Sequence, residues 1–142
     1  MQTHTDGSAS FTSGGIFFRG VRADATQIAG LRQAVRQWLG TLHLEPDHEH
    51  DVVLASYEAL ANAVEHAYSA DDEMATVDLE VTFRPQERHL EVTVADHGRW
   101  RDMIHDPNAS RGHGLALIRK LTTEMVVTPG SDGTHVAMRW AL

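Results

Sequence analysis

The chain has 142 residues, 42% hydrophobic and 23% charged, a composition that fits one globular domain and excludes wholesale disorder. Lys and Arg number 12 against 20 Asp and Glu, and a net charge of −8 argues against a general nucleic-acid binder, because it repels phosphate backbones. The lack of cysteine excludes disulfides and thiolate chemistry, and no apolar run reaches membrane-spanning length. The sequence therefore predicts a cytoplasmic protein that contacts neither nucleic acid nor membrane directly.

The first part of the chain predicts an arm, a strand and a helix. Residues 1–15 are polar, small and glycine-rich and lack the features of a secretory signal, so we expect a flexible arm before a single domain over residues 16–142. Residues 16–21 are aromatic and β-branched, which is typical of a strand. Asp24 or Thr26 would then cap a helix whose apolar residues recur every three or four positions.

A second helix is predicted over about residues 51–68. A helix turns by about 100° per residue. At this angle the apolar residues form one stripe along the helix, and a polar stripe is expected almost opposite it. The polar stripe consists of Glu58, Asn62, Glu65 and His66.

The remainder of the chain predicts a sheet with one more helix. Residues 75–83 and 90–94 alternate between apolar and polar side chains, and the short turn between them indicates an antiparallel hairpin that runs into Asp96. The later elements are a loop over 100–110, a helix that begins after residues 111–114, a strand over 125–128, a turn over 129–133 and a strand over 136–140. The whole pattern predicts an α+β, two-layer sandwich with a mixed, mostly antiparallel sheet and helices on one face.

Glu58 and Asn62 are four residues apart and therefore share one face of the second helix. An amide oxygen is a suitable ligand for Mg²⁺, and a carboxylate one turn away can accept a proton from a hydroxyl group or water. The same pair also fits a solvated polar face of an amphipathic helix.

Two glycine-containing segments could bind the parts of a nucleotide. Asp96 can accept a hydrogen bond from an exocyclic amine, which distinguishes adenine from guanine, and Gly98 would let a base approach the backbone. Arg111, Gly112 and Gly114 lead into a helix, where bare amides and a guanidinium favour phosphate. Each segment also has a structural interpretation, the first as an Asp-x-Gly turn and the second as a loop-to-helix junction.

The segments EALANAVEHAY, ADHG, RGHGLALIRKL and GTHVAMRW, in this order, resemble the ATP-binding domain (the Bergerat fold) shared by gyrase, histidine kinases and anti-sigma serine kinases. The chain looks most like the stand-alone anti-sigma factor serine/threonine kinases, over roughly residues 16–142. The resemblance implies ATP and Mg²⁺ as cofactors, a sigma factor that is sequestered, and phosphorylation of an anti-anti-sigma (STAS-type) antagonist. It also indicates a homodimer.

The resemblance implies a role for each matching residue. Asn62 would hold Mg²⁺, and Glu58 would be the base that activates the acceptor hydroxyl. The nucleotide would contact Asp96 and Gly98 at the adenine and Gly112 and Gly114 at the phosphates, with Thr134 near Asp96 and a lid between Gly98 and Gly112.

Trp100 departs from the family pattern, which has a second glycine at this position. A bulky ring there would stiffen or reshape the lid. The alternative interpretation is therefore a catalytically weak or inactive ATP-binding regulator that acts by sequestration. A detached histidine-kinase catalytic domain is a third interpretation, which the match in EALANAVEHAY disfavours.

Overall fold

The computed structural model describes residues 8–12, 14–67, 75–98, 114–130 and 132–142. The elements in these ranges are β1 (Ser8–Thr12), β2 (Gly15–Arg22), α1 (Ala25–Gly40), α2 (Pro46–Ala67), β3 (Thr76–Arg84), β4 (His89–Asp96), α3 (Gly114–Leu121), β5 (Glu124–Gly130) and β6 (Gly133–Ala141). The strands form one sheet in the order β1-β2-β3-β4-β6-β5, and all neighbouring pairs in it are antiparallel. None of the described helices is both long enough and apolar enough to span a bilayer.

The helices cover one face of the sheet. On β6 every second side chain is buried, and β3 and β4 follow the same alternation over most of their length, as the sequence predicts. These side chains join buried residues of α1, α2 and α3 in one core, and α2 packs against β4 and β6. The predicted α+β two-layer sandwich is therefore confirmed. We call the sheet surface that points away from the helices the outer face.

The second helix is longer and more deeply buried than the sequence predicts. It begins at Pro46, a residue that suits the first helical position, and Asp47 and Glu49 in its first turn complement the helix dipole. Because α2 packs against α1, α3 and the sheet, its buried surface is wider than one stripe. Asn62 lies within this surface and is 0% exposed, so its placement on a polar stripe opposite the apolar one was wrong.

A strand lies within the segment that was predicted to be a flexible arm. β1 pairs with β2 from Ser8, opposite Arg19, to Thr12, opposite Gly15. A polar segment can add to a sheet edge in this way because the ladder uses backbone groups. The division into an arm over residues 1–15 and a domain over residues 16–142 stays a prediction.

The last hairpin is tighter than the predicted turn over residues 129–133. β5 continues to Gly130 and β6 starts at Gly133, and these two residues pair with each other. Pro129 therefore lies within a strand, which is tolerated because β5 is at the edge of the sheet.

Candidate functional site

Asp96 is the last residue of β4 and is 2% exposed. Leu90, Val92 and Val94 are buried on the helix side of this strand, and the two-residue period places Asp96 on the same side. The carboxylate therefore lies between the sheet and the helices. A buried carboxylate is tolerated only when hydrogen-bond donors surround it.

Backbone amides hold the Asp96 carboxylate. Its Oδ1 accepts a hydrogen bond from the N–H of Gly98 at 3.1 Å and another from the N–H of Thr134 at 3.2 Å. The first closes a turn over residues 96–98, and the second joins the end of β4 to the start of β6. A carboxylate offers about four lone-pair positions, so these two bonds fix its orientation without exhausting its capacity as an acceptor.

Gly133 is a site residue to which the sequence interpretation gave no role of its own, although it stands in the predicted turn and in the segment GTHVAMRW. Its φ of +145° is rarely adopted by other residues, and a Cβ at this position would overlap the carbonyl oxygen of Asp96. Glycine at position 133 therefore allows the start of β6 to approach Asp96 closely enough for the Thr134 N–H to donate. The Gly-Thr pair before the last strand was visible in the sequence, but its contact depends on β6 pairing with β4.

Asn62 meets the first residue of α3. A Cβ on Gly114 would lie 2.7 Å from Oδ1 and 2.9 Å from Nδ2 of the Asn62 amide. Neither amide atom has a hydrogen-bond partner among the residues that the structure describes. The missing side chain of Gly114 thus makes room for a buried, unsatisfied amide at the N-terminus of a helix.

This arrangement fits a bound Mg²⁺ with phosphate. The Asn62 amide oxygen is a hard ligand, and Mg²⁺ needs few protein ligands because it brings phosphate oxygens and water. The N-terminus of α3 adds backbone N–H groups that have no partner within the helix, and it adds the positive end of a helix dipole. Within the described ranges, no group of three or more His, Cys, Asp or Glu could hold a metal ion.

The remaining predicted site residues are placed as follows. Glu58 lies on α2 one turn before Asn62 and is partly buried. Arg111, Gly112 and Trp100 lie outside the described residues.

A family model described as a histidine kinase-like ATPase domain matches residues 21–140. The match covers most of the chain, which therefore belongs to this family. The predicted membership of the histidine-kinase-type ATP-binding superfamily is confirmed, and that membership implies ATP binding.

Three solved structures share the fold. The RsbU and RsbW domains of Rv1364c from Mycobacterium tuberculosis match with a TM-score of 0.72 and 22% identity over 92% of this chain, which spans only 33% of theirs. The SiaB-SiaC complex from Pseudomonas aeruginosa matches with a TM-score of 0.63 and 15% identity, over 82% of this chain and 83% of the other. The blue-light activated histidine kinase EL346 of Erythrobacter litoralis matches with a TM-score of 0.56 and 29% identity, over 70% of this chain and 32% of its own.

Proposed function

We propose that this chain is an ATP- and Mg²⁺-dependent serine/threonine protein kinase that acts as an anti-sigma factor in a partner-switching module. The observation that carries the proposal is the buried Asn62 amide, which lies against Gly114 and has no hydrogen-bond partner among the described residues. Native proteins rarely leave such a group unpaired, and a ligand is one way to satisfy it. The ATP binding that family membership implies supplies a ligand of suitable chemistry.

Residues around α3 would bind the phosphate end of ATP. Asn62 would hold Mg²⁺ through Oδ1, and Arg111, Gly112 and Gly114 would contact the phosphates. When bound, Mg²⁺ neutralises negative charge on the phosphate oxygens. The first N–H groups of α3 lack partners within the helix, so they are suited to the same oxygens.

Residues at the end of β4 would bind adenine. Asp96 would accept a hydrogen bond from the exocyclic amine, and the N–H groups of Gly98 and Thr134 hold its carboxylate in position. Guanine presents a carbonyl oxygen where adenine has this amine. That oxygen cannot donate a hydrogen bond to the carboxylate.

Glu58 would act as the general base. It would accept the proton of a serine or threonine hydroxyl while that oxygen bonds to the γ-phosphorus. The bond from the γ-phosphorus to the β–γ bridging oxygen breaks, and ADP leaves with the electron pair. Such transfer depends mainly on positioning and charge neutralisation, and a placed base adds about 10²- to 10⁴-fold.

The proposed partners are a sigma factor, which the chain would sequester, and an STAS-type anti-anti-sigma protein, which would receive the phosphate. The sequence resemblance supports this choice, as does the fold shared with a structure that contains an RsbW domain. The fold shared with a chain of the SiaB-SiaC complex is consistent with regulation through a bound protein. We further propose that the chain acts in the cytoplasm as a homodimer.

A second candidate is an ATP-binding regulator that transfers phosphate weakly or not at all. Trp100 favours it, because the family has a glycine at this position of the lid. The two functions predict the same nucleotide binding and differ in the rate of phosphate transfer.

Phosphate transfer separates these functions. Purified protein is mixed with γ-³²P-labelled ATP, Mg²⁺ and a panel of purified STAS-domain proteins, and label on protein is measured. We expect transfer to a serine or threonine of at least one of them, and we expect Glu58→Gln to lower its rate by about 10²-fold or more. The matched control is Glu80→Gln, which removes an exposed carboxylate on the outer face.

Each outcome selects one function. ATP binding by calorimetry without label transfer favours the non-catalytic regulator. If Glu58→Gln leaves the rate of transfer unchanged, Glu58 is not the base. If the protein binds no ATP, both functions are contradicted.

A further inference from the structure

Asp78 lies on the outer face of the sheet, behind the turn that would bind adenine. In the β3–β4 pairing Asp78 is opposite Ala95, and Val77 is opposite Asp96. Side chains alternate between faces, so Asp78 is on the outer face and Asp96 is on the helix side. His97, the residue after Asp96, is a diagonal neighbour of Asp78 on the outer face.

Asp78 contacts two other segments of the chain. Its Oδ2 lies 3.4 Å from Nε2 of His97, and its Oδ1 accepts a hydrogen bond from the N–H of Gly20 at 2.7 Å. The Asp78 side chain is 21% exposed and that of His97 is 56% exposed.

The contact with Gly20 is made at an irregularity of β2. The register between β2 and β3 shifts by one residue between Phe18 and Val21, and Gly20 has a φ of +70°. A bulge leaves an extra residue without its normal ladder partner. The Asp78 carboxylate accepts from that residue, which fixes the carboxylate in front of His97.

We propose that Asp78 is a positioning residue for adenine binding, acting through His97 on the turn over residues 96–98. This inference rests on the proposed function. The turn is held on the helix side by the bonds to Asp96 Oδ1 and on the outer face by the contact between His97 and Asp78. A turn held on both faces keeps the Asp96 carboxylate oriented before the base arrives, which lowers the ordering cost of binding.

The alternation over residues 75–83 predicts the strand that carries Asp78 but gives no role to Asp78 or to His97. A sequence pattern does not reveal the contact, because Asp78, His97 and Gly20 come from three strands or their ends. The bulge in β2 decides which of its amides faces Asp78.

The test compares the binding of two nucleotides to the full chain. IDP has a carbonyl in place of the exocyclic amine of ADP and a proton on the adjacent ring nitrogen N1, so the ADP-to-IDP affinity ratio reports contact between this edge of the base and Asp96. We expect His97→Ala to weaken ADP binding about two- to fivefold, the range for an exposed polar side-chain contact, and to leave IDP binding unchanged. His97→Gln keeps a hydrogen-bond donor and is expected to restore most of the ADP affinity.

A double-mutant cycle tests whether Asp78 acts through His97. Asp78→Ala should weaken ADP binding at least as much as His97→Ala, because it also removes the acceptor for Gly20. Adding His97→Ala to Asp78→Ala should cause a smaller loss than His97→Ala causes in the parent, since both changes remove the contact between these two side chains. The matched control is Glu124→Gln, which breaks the exposed 3.2 Å ion pair with Arg139 elsewhere on the sheet and should leave the ADP-to-IDP ratio unchanged.

The outcomes separate this inference from the proposed function. Equal losses for ADP and IDP, additive losses in the cycle, or no loss in a folded variant would overturn the positioning role alone. A parent chain that binds no ADP overturns the proposed function together with it. Unfolding midpoints are measured for each variant. If an alanine variant is unfolded at the assay temperature, the positioning role is tested by comparing the ADP-to-IDP affinity ratio of His97→Gln with that of the more disruptive His97→Asp.

Discussion

Asn62 combines complete burial with an amide that has no hydrogen-bond partner among the described residues. An unpaired buried polar group costs about 1–3 kcal/mol of stability. In the proposed function, the bound Mg²⁺ would satisfy this amide and recover the stability that the unpaired group costs. This is the physical basis for treating Asn62 as a ligand residue.

Gly114→Ala tests the packing of this amide. The new Cβ would lie 2.7 Å from Oδ1 of Asn62, so the amide must move. We expect Mg²⁺-dependent ATP binding to weaken about tenfold or more, measured by calorimetry. Gly30→Ala is the matched control, because its Cβ would meet nothing within 4 Å, and the helix propensity of alanine should stabilise α1 by about 1 kcal/mol.

The cause of the Gly114→Ala effect can be isolated in a second background. With Asn62→Ala already present the clash is gone, so Gly114→Ala should lower the free energy of unfolding much less than in the parent. An equal loss in both backgrounds, measured by urea denaturation, would assign the effect to the α3 backbone instead.

Ser56 is a buried polar residue whose replacement we expect to stabilise the protein. Its side chain is 1% exposed, and its Oγ has no hydrogen-bond partner among the described residues. Unlike Asn62, it has no proposed ligand. We expect Ser56→Ala to raise the free energy of unfolding by about 1 kcal/mol and to leave ATP affinity unchanged. A destabilised variant would show that the hydroxyl is satisfied after all.

At the scale of elements, the hairpin of β5 and β6 determines how Asp96 is held. Gly133 lies at the start of β6 against the backbone of Asp96, and Thr134 next to it donates to the carboxylate. The hairpin must approach the end of β4 closely for this bond to form.

Gly133→Ala should therefore lower the free energy of unfolding more than an alanine substitution at a glycine without strain. It combines an unfavourable φ of +145° with overlap onto the Asp96 backbone, and we expect a loss of about 3 kcal/mol or more. Gly20→Ala is the control for backbone strain alone, because its φ is +70° with nothing near its Cβ, and should cost about 1–2 kcal/mol. Equal losses by urea denaturation would show that the overlap is relieved by a small shift.

At the scale of the whole molecule, the two layers are joined by one apolar core and by a polar contact at its edge. Trp140 on β6 is 3% exposed, and its Nε1–H donates to the carbonyl oxygen of Leu121 at the end of α3, at 2.6 Å. This bond secures the C-terminal end of α3, whose N-terminal end contacts Asn62.

Trp140→Phe keeps an aromatic ring in the core but removes the donor for the Leu121 carbonyl. We expect a loss of about 1–3 kcal/mol in the free energy of unfolding. We also expect the substitution to accelerate hydrogen exchange more in α3 than in β3. The reason is that it removes a bond at the end of the helix and leaves the strand pairing of the sheet intact. Uniform acceleration across both elements would contradict a local role.

The sequence by itself determined the order and type of the elements from β2 to β6, because hydrophobic periodicity follows from side-chain geometry within one helix or strand. It did not predict β1, which joins the sheet through backbone groups. It also identified Asp96, Gly98 and Thr134, since each belongs to a short contiguous motif, and the structure places the three together. Their roles toward ATP stay predictions.

Only the tertiary structure decided which side chains are covered on more than one side. Asn62 is buried because α2 packs against two helices and the sheet, and no periodicity within one helix contains that information. Gly133 and Asp78 gain their contacts from strand pairing and from a one-residue bulge. Such contacts join residues far apart in the chain, so they depend on register and packing that local patterns do not specify.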